Sequence, residues 1–253
     1  MKLKKVFAAA ALCLVAVSSY AQNMTVDQIL DNYFENTGGR DAWNDIEAIK
    51  IEAKVNQGGM EIPLEIVQME KGLTYTKISF QGKDIMQNVF DGDVLWSTNF
   101  ETMQAEKADD ETTKNIKLEA NDFPDSFLGY KDKGYTAELV GTEMVEGAET
   151  YKIKLTKEPQ FLDGSLVANI VYYYFDAENF VPIMQESEIK KGPMKGQIQQ
   201  ITMSDYQEVD GLYFPFSMGQ GVKGMGSQPL TITKITVNPD IDDEAFAFPE
   251  KAE

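Results

Sequence analysis

The chain has 253 residues, and its 41 acidic side chains against 23 basic ones give a formal charge of −18. It contains no histidine, which excludes Ser-His-Asp hydrolases, histidine metal sites and imidazole acid–base relays. The acidic balance argues against a nucleic-acid partner, because binding to phosphates needs clustered lysine and arginine. An apolar content of 43% excludes a mainly disordered chain and predicts a folded domain.

The first 21 residues have the pattern of a secretory signal peptide. Lys2, Lys4 and Lys5 are followed by 12 apolar residues at positions 6–17, and small residues then lead to Ala21. The apolar run is too short to span a bilayer, which needs about 20 residues. We therefore predict cleavage after Ala21, export to the periplasm, and one domain over residues 22–253. This domain would contain no cysteine, so its stability must come from its core.

Two helical segments are predicted at the start of this domain. Thr25 and Gln28 have the spacing of a capping box, in which each side chain bonds the other residue's backbone. The helix has an apolar stripe at the spacing of one face, and Gly38-Gly39 ends it. The stripe consists of Val26, Ile29, Leu30, Tyr33 and Phe34. A second, shorter helical turn is predicted over Arg40–Ile46.

From Ile49 onward the apolar period changes from helical to two, which predicts β-strands. Turn signals such as Gly58-Gly59, Asp91-Gly92 and Asp210-Gly211 separate the strands and predict hairpins between neighbours. Long neighbouring strands of this kind form an antiparallel meander that curls into a barrel or partial barrel. The further strands are predicted at Met60–Glu70, Leu73–Phe80, Ile85–Phe90, Val94–Thr98, Tyr135–Val145, Thr150–Thr156, Ser165–Phe175, Phe180–Lys190, Gln197–Val209, Leu212–Met218 and Leu230–Val237.

The segment Asn99–Gly134 interrupts the strand pattern. Its polar part, Ala105–Leu118, suits a helix or a mobile loop, and an aromatic-rich stretch from Phe123 to Tyr130 follows it. An insertion of this size in a meander is commonly a lid or a packing helix.

Three sequence motifs could indicate a functional site, and each of them also has a simpler structural interpretation. Residues 219–224 fit G-x-G-x-x-G, but they lie between two predicted strands, so a flexible hairpin loop is favoured over a dinucleotide site. Residues 240–244 are acidic but lack the spacing of a calcium loop. Paired carboxylates could serve a hydrolase, although no acid pair lies in a recognisable motif. We therefore predict no catalytic residue, no metal site and no cofactor.

Several predicted strands have apolar residues on both faces. A sheet with only one buried face would need apolar residues at every second position. Methionine is frequent on these strands and suits surfaces that accept variable apolar ligands. Either a lipid cavity or an ordinary core with methionine as filler explains the pattern.

Several segments resemble the LolA-like superfamily of periplasmic proteins, which includes the outer-membrane lipoprotein-sorting carriers. The segments are 36–39 with Trp43 and 46–50, 140–143 with Gly147 and 151–153, 173–176, 205–215, and 237–239 with Phe246, Phe248 and Pro249. The resemblance implies an incomplete antiparallel β-barrel, a half-barrel meander of mainly β (α+β) class, closed by the N-terminal helix and a helical lid. In the carriers the half-barrel surrounds a hydrophobic cavity that holds the acyl chains of a lipoprotein. The carrier receives the lipoprotein from an inner-membrane ABC transporter and delivers it to an outer-membrane acceptor.

Two departures from the carriers keep other functions open. The carriers latch their lid with an arginine on the barrel, whereas the single arginine here, Arg40, precedes the first strand. The chain is also longer. We predict a non-catalytic, monomeric binder of lipid or lipoprotein acyl chains; the alternatives are an envelope interaction or sensor module with a filled core, and a carboxylate-based hydrolase. The predicted cavity residues are Phe80, Met86, Phe90, Trp96, Met184, Met203 and Phe216, and the predicted lid or plug residues are Leu30, Phe34, Phe123 and Phe127.

Overall fold

The computed structural model describes residues 24–249, so the predicted signal peptide lies outside the described residues. Within them the chain is mainly β, with one sheet of thirteen strands and three short α-helices. The helices are α1 (Val26–Asn36), α2 (Arg40–Asn44) and α3 (Asp110–Glu119). The strands are β1 (Ala48–Gln57), β2 (Met60–Met69), β3 (Thr74–Phe80), β4 (Lys83–Phe90), β5 (Leu95–Thr98), β6 (Ala105–Lys107), β7 (Thr136–Val145), β8 (Ala148–Leu162), β9 (Ser165–Asp176), β10 (Pro182–Glu188), β11 (Ile198–Val209), β12 (Leu212–Val222) and β13 (Ser227–Val237).

The sheet is antiparallel and not closed, which confirms the predicted half-barrel. Neighbours in sequence pair except for β6 and β7, and in addition the first strand, β1, pairs with the last, β13, as in the register Ile51 with Ile235. The first and last strands therefore lie side by side in the middle of the sheet. The edges are β6 and β7, and the insertion that contains α3 connects them.

The N-terminal helices pack on the inner face of the sheet. Helix α1 begins at the predicted capping box, in which the Thr25 hydroxyl accepts from the Gln28 backbone and the Gln28 side chain accepts from the Thr25 N–H. Its apolar stripe is buried together with Trp43, whose ring lies 5.3 Å from that of Phe214 on β12. Gly38 joins the two helices with φ +115°, and a Cβ there would overlap the carbonyl oxygen of Gly211.

The outer face of β2–β5 has its own apolar cluster, which the C-terminal segment covers. Phe246 is fully buried between Tyr75 and Trp96, and its carbonyl oxygen accepts a 3.0 Å hydrogen bond from the Trp96 indole. The Phe248 ring packs against the same indole at 6.0 Å. The outer face of this half of the sheet is therefore covered by an apolar layer.

Helix α3 connects the two edges of the open sheet. The Asn115 side chain exchanges two hydrogen bonds with the backbone of Phe161 on β8, at 2.8 and 2.9 Å. On the other side Lys117 pairs with Asp93 at 3.1 Å. Near the C-terminal end of α3 the Cβ of Ala120 lies against Gly72, where an added Cβ would overlap it. The insertion is thus a helical cover, as its composition indicated.

Among residues 24–249, no helix is both long enough and apolar enough to cross a membrane.

A nearly buried carboxylate, Glu186, lies on the outer face of β10. It accepts hydrogen bonds from Tyr174 (2.7 Å), Gln200 (2.8 Å) and the Lys223 ammonium (2.8 Å). Burial favours the neutral acid, but these three donors outweigh it and hold the pKa of Glu186 below its ordinary value. The ionised side chain therefore stabilises the fold above the ordinary glutamate range, and this contribution is lost as the pH falls through the folded-state pKa.

We expect Glu186→Gln to lower the free energy of unfolding by about 2 kcal/mol near pH 7, because hydrogen bonds to a charged group contribute about that much. The difference from the parent protein should shrink as the pH falls to about 3. Urea unfolding at several pH values measures both effects. Glu188→Gln, at an exposed position of the same strand, is the matched control and should change stability by less than about 0.5 kcal/mol. A loss that is equal at both pH values would contradict a charge-based role.

Candidate ligand-binding cavity

A cavity lies between the inner face of the sheet and α3. It has a volume of about 870 Å³, within the usual range of about 300–1,000 Å³ for small-molecule sites. Both halves of the sheet contribute to its wall, and α3 with the segment that follows it forms the cover. Tyr33 and Trp43 of the N-terminal helices lie at its inner limit.

The cavity wall is amphiphilic. Its apolar side chains come from both sheet halves and from the insertion, and they include Ile66, Leu73, Leu95, Ile116, Phe123, Phe161, Leu162, Val167, Tyr173, Met203 and Met218. Its polar, uncharged side chains include Gln68, Thr74, Thr76, Asn88, Asn115, Gln160 and Gln185, and its charged side chains are Glu119, Asp122, Asp125, Lys190 and Lys191. Such a wall fits a ligand that has hydrocarbon chains together with hydrogen-bonding groups near them.

Polar contacts hold the cover in place. No side chain of α3 is buried, so apolar packing contributes little to its attachment. Besides the Asn115 and Lys117 contacts, Glu111 accepts hydrogen bonds from the backbone of Asp163 (3.1 Å) and Gly164 (2.8 Å), and it pairs with Lys191. Elements with few buried apolar contacts open at low free-energy cost. We therefore expect helix α3 to open at a lower free-energy cost than the main core.

Two ionisable pairs fix the segment after α3. Asp122 pairs with Lys157 on β8 and accepts from the Tyr135 hydroxyl at 3.1 Å. Asp125 accepts from the Tyr33 hydroxyl (3.0 Å) and from the backbone N–H of Phe127 (2.7 Å). Burial raises the pKa of Asp125 despite these bonds, and burial beside Asp125 also raises the pKa of Tyr33. These contacts attach the cover segment to α1.

Two of the eleven predicted site residues, Met203 and Phe123, line the cavity. Met203 lies on β11, opposite Met218 of β12, and Phe123 follows α3. Phe90 is buried at the end of β4 near Gly72, below the C-terminal end of α3. Phe80 ends β3 on the inner-facing parity and is half-buried, away from the cavity wall.

The structure places the remaining predicted cavity residues elsewhere. Met86 and Trp96 belong to the outer-face cluster below the C-terminal segment. Met184 packs with Tyr174 and Val145 on the outer face of the other sheet half. Phe216 lies on the inner face and packs against the main core.

The other three predicted lid residues belong to the main core. Leu30 and Phe34 are fully buried on α1, and Phe127 packs its ring 4.8 Å from that of Tyr173 and 5.4 Å from that of Phe175. They support the wall of the cavity from behind and do not face its interior.

Several lining residues escaped the sequence prediction. Ile116 is an apolar residue in a polar helix, and that exception is a usable signal for a side chain that faces inward. Tyr206 follows Asp205, whose φ is +55°, and no periodicity marks it. A smaller recess of about 620 Å³ adjoins the cavity and shares Met203, Tyr206 and Tyr213 with it.

The architecture matches known structures although the sequence does not identify a family. No family model matches the chain, and no curated protein matches it. The structure of a LolA superfamily protein from Nitrosomonas europaea is similar at 15% identity, with a TM-score of 0.53, and covers 88% of this chain and 98% of that one. A DUF1329 family protein from Desulfovibrio piger has 14% identity, a TM-score of 0.53, and coverage of 88% and 97%.

A third similar structure is a candidate outer membrane lipoprotein-sorting protein domain from Vibrio parahaemolyticus. It has 12% identity and a TM-score of 0.50, and the match covers 87% of this chain and 94% of that one. The chain therefore has a LolA-like fold.

Proposed function

We propose that the protein binds the acyl chains of a lipid or lipoprotein in the cavity below α3. The observation that supports this most directly is the cavity itself, about 870 Å³ with an amphiphilic wall, under a helix that has no buried side chain. Each CH₂ group that leaves water contributes about 0.8 kcal/mol, so a hydrocarbon chain would bind firmly. If α3 opened, the bound chain would be released without any covalent reaction.

A transport role follows as the more specific proposal. The protein would act in the periplasm as a monomeric, non-catalytic carrier that receives its cargo from an inner-membrane ABC transporter and passes it to an outer-membrane acceptor. Two considerations support this: the chain has the pattern of an export signal over residues 1–21, and one similar structure is named for outer membrane lipoprotein sorting.

The two alternatives make different demands on the site. In a sensor or interaction module the core would fill the inner face, as the cluster around Phe34 and Trp43 does over part of it. A carboxylate hydrolase would need two acids of the cavity wall whose pKa values are pushed apart. Glu119, Asp122 and Asp125 line the cavity, and burial raises the pKa of Glu119, whereas Asp122 pairs with Lys157 and accepts from Tyr135.

Native mass spectrometry of the protein purified from its own envelope is the direct test. We expect a ligand-sized mass increment that organic extraction removes and identifies as phospholipid or acylated peptide. A bare protein mass, together with no uptake of added fatty acid or lysophospholipid, would overturn the proposal and favour the interaction module. A variant that unfolds the cover, Asn115→Pro, should lose the increment while the far-UV spectrum of the sheet is kept.

A further inference from the structure

The antiparallel order assigns every hairpin turn to one of two ends of the sheet, because successive turns alternate between them. The helix end lies beside α1 and α2, where the Tyr213 N–H donates to the Thr37 carbonyl. We call the opposite end the hairpin end. Its six turns are residues 58–59, 81–82, 99–104, 163–164, 189–197 and 223–226, and the five turns at the helix end are 70–73, 91–94, 146–147, 177–181 and 210–211.

Exposed hydrophobic side chains concentrate at the hairpin end. Nine large hydrophobic side chains among residues 24–249 are exposed, and six of them lie in these turns or within two residues of them. Met225 and Leu166 are the most exposed of the six, at 64% and 63%. The six are Met60, Phe100, Met103, Leu166, Met194 and Met225.

The two ends also differ in charge. The six turns of the hairpin end contain four lysines against two acidic residues, although the whole chain carries a charge of −18. The five turns of the helix end contain one lysine against six acidic residues. Three of the four lysines, Lys190, Lys191 and Lys195, lie in one turn, which also presents Met194.

The cavity extends to this end of the sheet. Leu162, next to the β8–β9 turn, lines it together with Lys190 and Lys191 of the β10–β11 turn. Lys191 pairs there with Glu111, and Lys190 donates to the Gln160 side chain at 3.1 Å, so the cavity wall at this end is polar.

We infer that the hairpin end is a docking surface for an anionic lipid bilayer. Single apolar side chains on separate turns suit insertion between lipid headgroups, where each hydrophobic tip is buried and the exposed Lys195 stays at the charged surface. Lys191 and Lys223 pair with Glu111 and Glu186, so Lys195 contributes most directly to the attraction. A protein partner would instead be met by a contiguous apolar patch with complementary shape. The inference goes beyond acyl-chain binding, because docking depends on the tips and not on the cavity.

Vesicle co-sedimentation tests the inference with the purified protein. Vesicles of phosphatidylglycerol and phosphatidylcholine in equal parts are compared with vesicles of phosphatidylcholine alone. We expect binding to the anionic vesicles that weakens as salt is added, since screening reduces attraction between the lysines and the headgroups. Met225→Glu and Lys195→Glu should each weaken it by about tenfold, because the first replaces a hydrophobic tip with a negative charge and the second replaces a positive charge with a negative one.

Met144→Glu is the matched control. Met144 has the same 64% exposure as Met225 and lies on β7 toward the helix end, so the variant makes the same change of side chain on the other end of the molecule. It should sediment like the parent protein. No sedimentation with anionic vesicles, equal sedimentation with both vesicle types, or equal loss in Met144→Glu and Met225→Glu would each overturn the inference. Capture by a membrane protein in native vesicles but not by pure lipid would also overturn it in favour of a protein partner.

A parallel measurement separates this inference from the proposed function. Binding of a soluble fluorescent fatty acid reports on the cavity, and Met225→Glu should leave it unchanged. Sedimentation without fatty-acid binding would refute the acyl-binding proposal and support the docking surface; the reverse result would refute the docking surface alone.

Discussion

Replacing Met203 with aspartate is expected to weaken acyl-chain binding by at least about 100-fold. The side chain faces the cavity from β11, so the variant removes one apolar contact and places a carboxylate against hydrocarbon. Burial of a methionine contributes about 1.5–3 kcal/mol, and a carboxylate without a partner in apolar surroundings adds a further penalty. Displacement of a fluorescent fatty acid measures the loss. Since Met203 is only half-buried in the free protein, the fold should be kept.

Met86→Asp is the control for this experiment. Met86 is also half-buried on a strand, but it packs in the outer-face cluster and not on the cavity wall. We expect Met86→Asp to lower stability and to leave the affinity of the folded protein for fatty acid within about threefold of the parent value. If both variants lost binding to the same degree while folded, the assignment of the inner face as the ligand site would be wrong.

Turn chemistry accounts for the success of strand prediction in this chain. Local pairs such as Gly58-Gly59 and Asp210-Gly211 accept positive φ, so they fix where a strand stops whatever the tertiary context. Most strand ends were therefore predicted to within a few residues. β8 runs on to Leu162 and not to the predicted Thr156, because a bulge between Lys157 and Gln160 breaks the alternation without ending the pairing.

The faces of the strands were harder to predict than their ends. The apolar residues on both faces of the strands predict a cavity or a core. In the structure, some of them form the apolar cluster on the outer face. Residues around Phe246 cover that face, and no local sequence pattern near the C-terminus predicts which strands they contact. Trp96 illustrates this, because its hydrogen-bond partner is 150 residues away in the sequence.

The pairing of the first strand with the last could not be predicted from local periodicity either. A meander predicts pairing between sequence neighbours, whereas β1 pairs with β13 through contacts such as Ile49 with Val237. The short strand β6 was missed because its three residues, Ala105–Lys107, are too few to give an alternating signal. The polar helix of the insertion was recognisable by composition, but its place across the open side depends on contacts such as Asn115 with Phe161.

Trp43→Ala is expected to cause the largest loss of stability, about 3–5 kcal/mol. The indole is buried between Phe34 of α1 and Phe214 of β12, with ring centroids 6.2 and 5.3 Å away. Its Nε1 donates to the hydroxyl and carbonyl oxygens of Thr37, at 3.1 and 3.2 Å, and this ties α2 to the end of α1. Removal leaves a cavity that these rings cannot fill, while the Thr37 hydroxyl keeps only its 2.7 Å hydrogen bond to the Tyr33 carbonyl.

Trp43→Phe separates the two contributions. It keeps most of the ring contact and removes the donor, and the Thr37 carbonyl still accepts from the backbone of Tyr213 at 3.1 Å. The expected loss is therefore about 1–2 kcal/mol, mainly for the indole hydrogen bonds. Urea unfolding followed by circular dichroism measures both variants, since fluorescence would itself change with the loss of the indole. Equal losses in Trp43→Ala and Trp43→Phe would mean that the hydrogen bonds, and not aromatic packing, attach the helical end of the molecule to the sheet.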